Sequence, residues 1–261
     1  MAVSMNDLRT TFGTTGAASL SQFYRGGTLV PNVSTNSSVA TSGAIALGSF
    51  TSRTNLVPIS YDVLGAGGGG GFGNQENDGN ANATETMASA GGSSSLSGSG
   101  FTTVTSTGGA AGASRNISGG TPHRYGTAGE SSAYGTGGTR GVVQEDSVEG
   151  GAGSGAPSYK GGDGGIGAGG GGAGGDQTST YDVGGWAGSG GKAGQQKTGT
   201  VYAVYKSTIT LSCGAGGAGG NGPWASDGGA GGAGRVSITR QYLSGNLTTT
   251  RTTSGSQTLT V

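Results

Sequence analysis

Four runs made almost entirely of glycine dominate the chain. They span residues 65–73, 161–175, 214–222 and 228–234. In the last two runs the non-glycine residues recur at every third position. That period is neither the two-residue repeat of a strand nor the repeat of an α-helix, about 3.6 residues. It matches the extended left-handed polyproline-II helix, which has about three residues per turn.

An isolated helix of this kind makes no internal hydrogen bonds, yet every buried backbone N–H and C=O group must be paired. The glycine runs therefore either stay solvated coil or pack side by side and hydrogen bond laterally, with glycine where two backbones touch. A flexible linker has no need to hold alanine in a fixed phase. The phase therefore favours packing, and we predict a bundle of polyglycine-II helices.

The composition supports this prediction by excluding other classes. Glycine supplies 64 of the 261 residues, but there are only 5 prolines and no sustained G-X-Y phase, which excludes collagen. Hydrophobic residues make up 31% of the chain, too few for a conventional core over its whole length. Strand-like segments at both ends of the glycine region argue against simple disorder. Lateral backbone bonding would have to supply what apolar burial does not.

Charge and cysteine content narrow the function classes. The net charge is zero, so no basic patch indicates a nucleic-acid partner. The single cysteine, Cys213, excludes an internal disulfide framework and is expected to be a small buried hydrophobe. No apolar run is long enough to insert in a membrane, and residues 1–10 lack a signal-peptide pattern. We expect a soluble protein that is not secreted by the ordinary route.

The N-terminal residues 1–55 have an ordinary composition and contain a repeat. Ser4 and Asp7 predict a capping box at the start of a short helix, which Gly13 would end. The motif Gly-Ala-x-x-Leu-x-x-Phe begins at Gly16 and again at Gly43. We predict a small helical unit that docks on a partner chain or on the body, the alternative being two turns that pack on their own domain. The docking candidates are Leu8, Phe12, Leu20, Phe23, Leu47 and Phe50.

Three segments have strand character. Residues 56–65 lead straight into the first glycine run, residues 201–213 are rich in β-branched and aromatic side chains, and residues 235–243 alternate apolar with polar. We predict that residues 201–243 form one β-hairpin whose connection consists of two glycine helices.

The predicted fold is therefore mainly β and irregular: a bundle of polyglycine-II helices combined with a small antiparallel sheet and a short helical N-terminal segment. The divisions are a docking segment at 1–55, a glycine-rich body at 56–243 and a β-type tail at 244–261 with a turn at Ser254–Gly255.

Polar stretches between the glycine runs carry most of the remaining aromatic residues. Loops on a rigid scaffold are common recognition sites, and aromatic rings offer a large contact area at a low entropic cost. The alternative is that some rings cap the ends of the bundle. The candidates for contact with a ligand are Tyr125, Tyr134, Tyr159, Tyr181, Trp186 and Trp224.

The sequence offers no convincing catalytic or metal site. His123 is the only histidine, so zinc sites and Ser–His–acid sites lack ligands or a recognisable nucleophile. A near match to a phosphate-binding loop fails because Ala193 follows Lys192 where Ser or Thr is required. Glu145, Asp146 and Glu149 could hold a hard cation or act as a carboxylate pair, but a solvated acidic turn is the favoured interpretation. We expect no enzyme activity, no cofactor and no metal.

Two sets of segments resemble proteins of tailed bacteriophages. The N-terminal SMNDLRTTFGTTGAASLSQFYRGG and its echo TSGAIALGSF resemble a segment that recurs in tail and virion structural proteins. The stretches YDVLGAGGGGG, TITLSCGAGGAGGNG and GGAGGAGRVSITRQ resemble the glycine-rich domains of tail-fibre and tail-tip proteins. The resemblance covers the N-terminal 55 residues and most of 56–243. The chain differs from the glycine-rich adhesins in its N-terminal segment, its fewer glycine runs and its β-rich tail.

This resemblance implies a location in the virion, in the phage tail or fibre, after synthesis in the host cytoplasm. It implies that the glycine runs form a scaffold whose connecting loops bind a bacterial surface receptor, either a protein or a glycan. Other virion proteins would be partners, with several copies of the chain in the assembly. The alternatives are a purely structural tail or capsid component that cements subunits, and an ice-binding protein; an enzyme comes last.

Overall fold

A computed structural model describes residues 3–72, 87–112, 163–170, 189–221 and 227–261, together with the backbone of strands Val142–Val143 and Val148–Glu149. The described chain is mainly β, as predicted. The helices are α1 (Met5–Thr11) and three 3-10 turns at Leu20–Phe23, Ser34–Asn36 and Leu47–Phe50. The strands are β1 (Leu56–Leu64), β2 (Ser94–Gly98), β3 (Val104–Ser106), β4 (Val142–Val143), β5 (Val148–Glu149), β6 (Gln196–Val204), β7 (Thr208–Cys213), β8 (Arg235–Tyr242), β9 (Gly245–Arg251) and β10 (Gly255–Thr260).

Two four-stranded antiparallel sheets pack on one apolar core. One sheet has the strand order β6-β1-β8-β9 and the other β10-β7-β2-β3, while β4 and β5 pair separately. Alternate side chains point inward, as the two-residue period of a strand requires: Ile59 from β1, Ile238 from β8, Leu96 from β2 and Leu211 from β7 are all buried in this core. We call this unit the sandwich.

The prediction of one strand over 201–213 was wrong. The chain turns at residues 205–207, and β6 and β7 lie in different sheets. Lys206 adopts a left-handed backbone with φ 59°, which is uncommon for a residue other than glycine. Because a lysine takes this conformation, the sequence of the turn contains no glycine or proline that would have marked it. The predicted hairpin over 201–243 was wrong as well, because β7 and β8 belong to different sheets.

The C-terminal residues complete both sheets. Strand β9 pairs with β8 and strand β10 pairs with β7, each at the edge of its sheet. The division predicted at residue 244 falls in the turn between β8 and β9. The tail therefore shares its sheets with the body.

The N-terminal residues fold around three phenylalanines. The predicted capping box of α1 is present: Ser4 Oγ accepts from Asp7 N, and Asp7 Oδ2 accepts from Ser4 N at 2.8 Å. The rings of Phe12, Phe23 and Phe50 contact one another edge to face, with centroids 5.8–6.1 Å apart. We call residues 3–55 the N-terminal unit.

Both copies of the sequence repeat have the same structure. Each forms a 3-10 turn that begins at its leucine and ends at its phenylalanine. Leu8 and the three phenylalanines are buried in the unit's own core, and Leu20 and Leu47 are partly buried against it. The buried docking candidates are thus core residues in this conformation, which is the alternative interpretation of the repeat.

The N-terminal unit covers one end of the sandwich. Leu243 N donates to Asn32 O at 2.8 Å, and Tyr205 Oη donates to Gly27 O at 3.2 Å. Both contacts lie at turns that follow the last residues of β8 and β6, and Val33 enters the sandwich core. The glycine-rich segments leave the opposite end, after Leu64 of β1.

Replacing one ring of the phenylalanine cluster should destabilise the N-terminal unit. For Phe23→Ala we expect the free energy of unfolding to fall by about 3–5 kcal/mol, because the change leaves a cavity between two rings. Urea denaturation followed by amide hydrogen exchange of the unit would measure this loss. Thr28→Ala, at an exposed position of the same unit, is the control, and an equally small loss for Phe23→Ala would contradict the arrangement.

Cys213 should resist alkylation in the folded protein. It is buried as predicted, with Sγ 3.2 Å from Arg251 O, and desolvation by burial raises the pKa of its thiol. A raised pKa leaves less of the reactive thiolate at any pH below it. With iodoacetamide at neutral pH, we expect labelling at least about tenfold slower in buffer than in denaturing urea. Equal rates would mean that the thiol is accessible.

Candidate functional site

Seven extended segments leave the end of the sandwich opposite the N-terminal unit. The central one, 65–72, follows β1 directly. Five others lead into or out of a strand, so the sheets set where they begin; the remaining one starts at a turn at Ile166–Gly167. The six outer segments are 87–92, 107–112, 167–170, 189–195, 214–221 and 227–234. We call the seven together the glycine bundle.

Backbone N–H groups of the central segment donate to three outer segments in turn. Every third N–H, beginning with Gly65, donates to segment 189–195 with N···O distances of 2.8–2.9 Å. The two N–H groups between them donate to segments 87–92 and 227–234. The direction of hydrogen bonding therefore repeats after three residues, the period that the alanine spacing predicted.

The carbonyl groups of the central segment complete the set of contacts. They accept hydrogen bonds from segments 107–112, 167–170 and 214–221. The central segment donates to neighbours that run antiparallel to it and accepts from neighbours that run parallel to it. Each of the six outer segments is also hydrogen bonded to the next, which closes a ring in the order 87–92, 107–112, 189–195, 167–170, 227–234 and 214–221.

The bundle continues the register of the sheets. Leu64 lies opposite Gln196 in the β1–β6 ladder, and the next bond joins Gly65 N to Gln195 O at 2.8 Å. The same one-to-one step later brings Gly68 opposite Lys192. The β1–β8, β2–β7 and β2–β3 ladders are extended into the bundle in the same way.

A carboxylate ties three strands together where the bundle begins. Asp62 on β1 accepts from Gln196 Nε2 at 2.7 Å and from Arg235 Nη2 at 2.5 Å. Gln196 begins β6 and Arg235 begins β8. The two outer segments that enter these strands are thus fixed on either side of β1 at their last residues.

Glycine is required in the bundle because neighbouring backbones touch. A Cβ built on Gly68 would overlap the carbonyl oxygen of Ala110, and one on Gly67 would overlap that of Ala168. In both cases the obstacle is backbone, which cannot turn away as a flexible side chain can. Any side chain at these positions would separate the segments and break the lateral hydrogen bonds.

Many of the side chains that remain on the outer segments face away from the centre, whereas Ala168 and Ala193 are buried. Ala215, Ala218 and Asn221, at every third position of one segment, are all exposed. Segments 87–92, 107–112 and 189–195 were not recognised as part of the bundle from the sequence. These segments could have been recognised by the same three-residue spacing of outward side chains, although the residue types are more varied. Thr107 and Ala110, for example, are both exposed and three residues apart.

Several segments end close together at the end of the bundle remote from the sandwich. Gly71 N donates to Ser189 O at 2.8 Å, and Gly112 N donates to Gly69 O at 2.7 Å. Gly220 N donates to Gly70 O at 2.9 Å and accepts through its carbonyl from Gly228 N at 2.8 Å. These contacts place the ends of five segments at one level, where the central segment ends at the buried Phe72. We call this level the far end and take it as the candidate site.

The predicted ligand contacts all fall in ranges joined to the far end. Ranges 73–86, 171–188 and 222–226 begin and end at this level, and range 113–162 begins there. The six candidates lie outside the described residues: Tyr125, Tyr134, Tyr159, Tyr181, Trp186 and Trp224.

The candidate metal and catalytic residues His123, Glu145 and Asp146 lie outside the described part as well, and so does the side chain of Glu149. Among the described residues, no group of three His, Cys, Asp or Glu side chains could hold a metal ion.

The lateral contacts predict a sharp difference between two glycines. Gly68→Ala should lower the free energy of unfolding by about 3 kcal/mol or more, because its Cβ would overlap backbone at the centre of the bundle. Gly165→Ala is the matched control, since a Cβ there would meet nothing within 4 Å. Thermal unfolding of the two variants measures the difference, and equal melting temperatures would contradict close packing at the centre.

Comparison of the chain with protein-family models, characterised proteins and solved structures finds no match. No helix in the described ranges is both long and apolar enough to cross a membrane. Three observations therefore bear on function. They are the glycine bundle, its far end, and the resemblance of the N-terminal and glycine-rich segments to segments of tailed-bacteriophage proteins.

Proposed function

We propose that this chain is a bacteriophage virion protein of the tail or tail fibre. In this proposal the N-terminal unit attaches to another virion protein, and the glycine bundle displays loops that bind a receptor on the host surface. The observation that carries the proposal is the far end, where a laterally bonded scaffold holds together the ends of the segments that lead to the aromatic polar ranges.

We further propose that the bundle consists of polyglycine-II helices. Three features support this assignment: the three-residue rotation of donors along the central segment, the ring of six neighbours, and the glycines whose Cβ positions coincide with neighbouring backbone. Seven consecutive N–H groups of the central segment, from Gly65 to Gly71, donate to neighbours. Such a bundle is stiff because no residue can reorient without breaking bonds to adjacent segments.

A stiff scaffold suits recognition by loops. Binding costs less conformational entropy when the anchoring points of a loop are already fixed. Aromatic side chains among Ser, Gly and Asn offer large contact areas with few rotatable bonds. With a net charge of zero, recognition would rely on shape, aromatic contact and backbone hydrogen bonds, without long-range charge steering.

The order of the parts along the molecule supports a bridging role. The N-terminal unit covers one end of the sandwich, and the far end lies beyond the other end. A virion contact and a receptor contact could therefore be made at the same time. Since the phenylalanines of the unit are buried in its own core, attachment would use the unit's outer surface.

The second candidate is a structural tail or capsid component that cements subunits. The exposed Ala215 and Ala218 favour it, because small side chains on the flank of the bundle allow a neighbouring subunit to approach closely. In that case the far end would be covered by other subunits in the particle. Imaging of the intact particle with this chain located in it separates the two: a far end directed into solvent supports receptor binding.

Replacing loop aromatics should reduce host adsorption. For phage that carry Tyr125→Ala together with Tyr134→Ala, we expect the adsorption rate to fall about tenfold or more, as for the loss of central aromatic anchors in other interfaces. Leu247→Ala, at a half-exposed position on β9, is the control and should adsorb normally. Unchanged adsorption after replacement of all six loop aromatics, in a protein that still folds, would overturn the receptor-binding role.

A further inference from the structure

A cleft of about 440 Å³ lies between the N-terminal unit and the outer face of the sheet β6-β1-β8-β9. It is remote from the far end, because the residues that the sheet contributes lie at the strand ends next to the N-terminal unit, whereas the glycine bundle begins at the other ends of these strands. One wall comes from the N-terminal residues Ser34 and Thr35 and from Thr54, and the sheet supplies the floor. Nothing in the proposed receptor-binding role uses this surface.

Hydrogen bonds from neighbouring side chains hold the wall of the cleft in place. Asn36 is fully buried, and its Nδ2 donates to Thr54 O at 2.8 Å and to Pro31 O at 3.1 Å. Its Oδ1 accepts from Thr54 N at 3.1 Å. The guanidinium of Arg53 donates to the carbonyl of Thr35. The backbone at Thr35 and the backbone at Thr54, which belong to the two parts of the wall, are thus both held by hydrogen bonds within the protein.

The floor of the cleft is apolar and carries an exposed ring. Pro58 of β1 lies directly opposite Tyr202 of β6, and Leu56 is beside them. Tyr202 is 53% exposed, so its ring is open to a ligand. Gln241 of β8 borders the floor, and its Nε2 donates to Ser60 Oγ at 2.7 Å, which fixes the orientation of the amide.

The polar groups around the cleft are neutral and available. No Asp, Glu, Lys, Arg or His lines it. Within the described part of the chain, the hydroxyls of Ser34, Thr35 and Tyr202 and the Oε1 of Gln241 make no hydrogen bond. Phosphates and carboxylates are bound by cationic groups, and metal ions by carboxylates or imidazoles. The lining therefore suits an uncharged ligand with an apolar face and several hydroxyls.

We propose that this cleft binds an uncharged saccharide. A pyranose ring has a face of C–H groups, which would stack on Tyr202 and Pro58, and a rim of hydroxyls, which would bond to Ser34, Thr35 and Gln241. The combination of an apolar floor with a few fixed polar groups is typical of small-molecule sites. The saccharide could be free or part of a polymer, and the two sources share this chemistry.

Amide NMR of the full chain would test the proposal. The probes are isomaltose, cellobiose and N,N′-diacetylchitobiose as free sugars, and dextran, whose glucose linkage is that of isomaltose, as a polymer. We expect at least one probe to shift the amides of Thr35, Tyr202 and Gln241 with a saturable concentration dependence. Shifts with a disaccharide indicate a free-sugar site, and shifts with dextran alone indicate recognition within a chain. The absence of saturable shifts at the cleft with all four probes would overturn the proposal.

Two variants of Tyr202 separate stacking from nonspecific contact. Tyr202→Ala should weaken binding about tenfold, because it removes the stacking ring, whereas Tyr202→Phe should retain most of it. Leu247→Ala is the control: it is equally exposed, at 51%, and does not line the cleft. Equal affinity of Tyr202→Ala and the wild type would contradict the assignment. This test is independent of host adsorption, so either proposal can fail without the other.

Discussion

Lateral hydrogen bonding between backbones is the interaction on which the described structure depends. The central segment 65–72 carries only two side chains, on Ala66 and Phe72, and yet every one of its residues is buried. Apart from Phe72, apolar side-chain burial therefore contributes little to its stability. Glycine loses more backbone freedom on folding than any other residue, and the bonds to six surrounding segments offset this loss only when they form together. The bundle should accordingly form as one cooperative unit.

The sandwich gives that unit its starting geometry. Its core is conventional, with Ile59, Leu211 and Ile238 packed between two sheets, and four of its strand ladders extend into the bundle without a change of register. Strand pairing is specified by side chains that must face the core. The segments beyond the strands have almost no side chains to specify their alignment, so they take it from the sheets. An apolar core and a nearly side-chain-free bundle thus depend on the same pairing.

Much of this arrangement could be predicted from the sequence, for identifiable reasons. The phase of Ala215 and Ala218 revealed the period of the bundle, and Ser4 with Asp7 marked the first helix. The segments 87–92, 107–112 and 189–195 were missed because serine, threonine and lysine take outward positions that alanine holds in the recognised runs. The change of sheet at Lys206 was missed because a non-glycine residue takes the left-handed conformation there. The cleft at Tyr202 joins residues from distant parts of the chain, and no local pattern marks it. The six loop aromatics remain predictions.

The direction of the hydrogen bonds rotates along the central segment, and this rotation limits how the length of the bundle can change. Each residue turns the next N–H by about a third of a revolution, so an insertion of one or two residues between Gly67 and Gly70 would direct all later donors at the wrong neighbours. Three residues restore every direction. The bundle can therefore lengthen or shorten only in layers of three residues per segment, about 9 Å each. The length of the bundle would thus change in discrete steps of one layer.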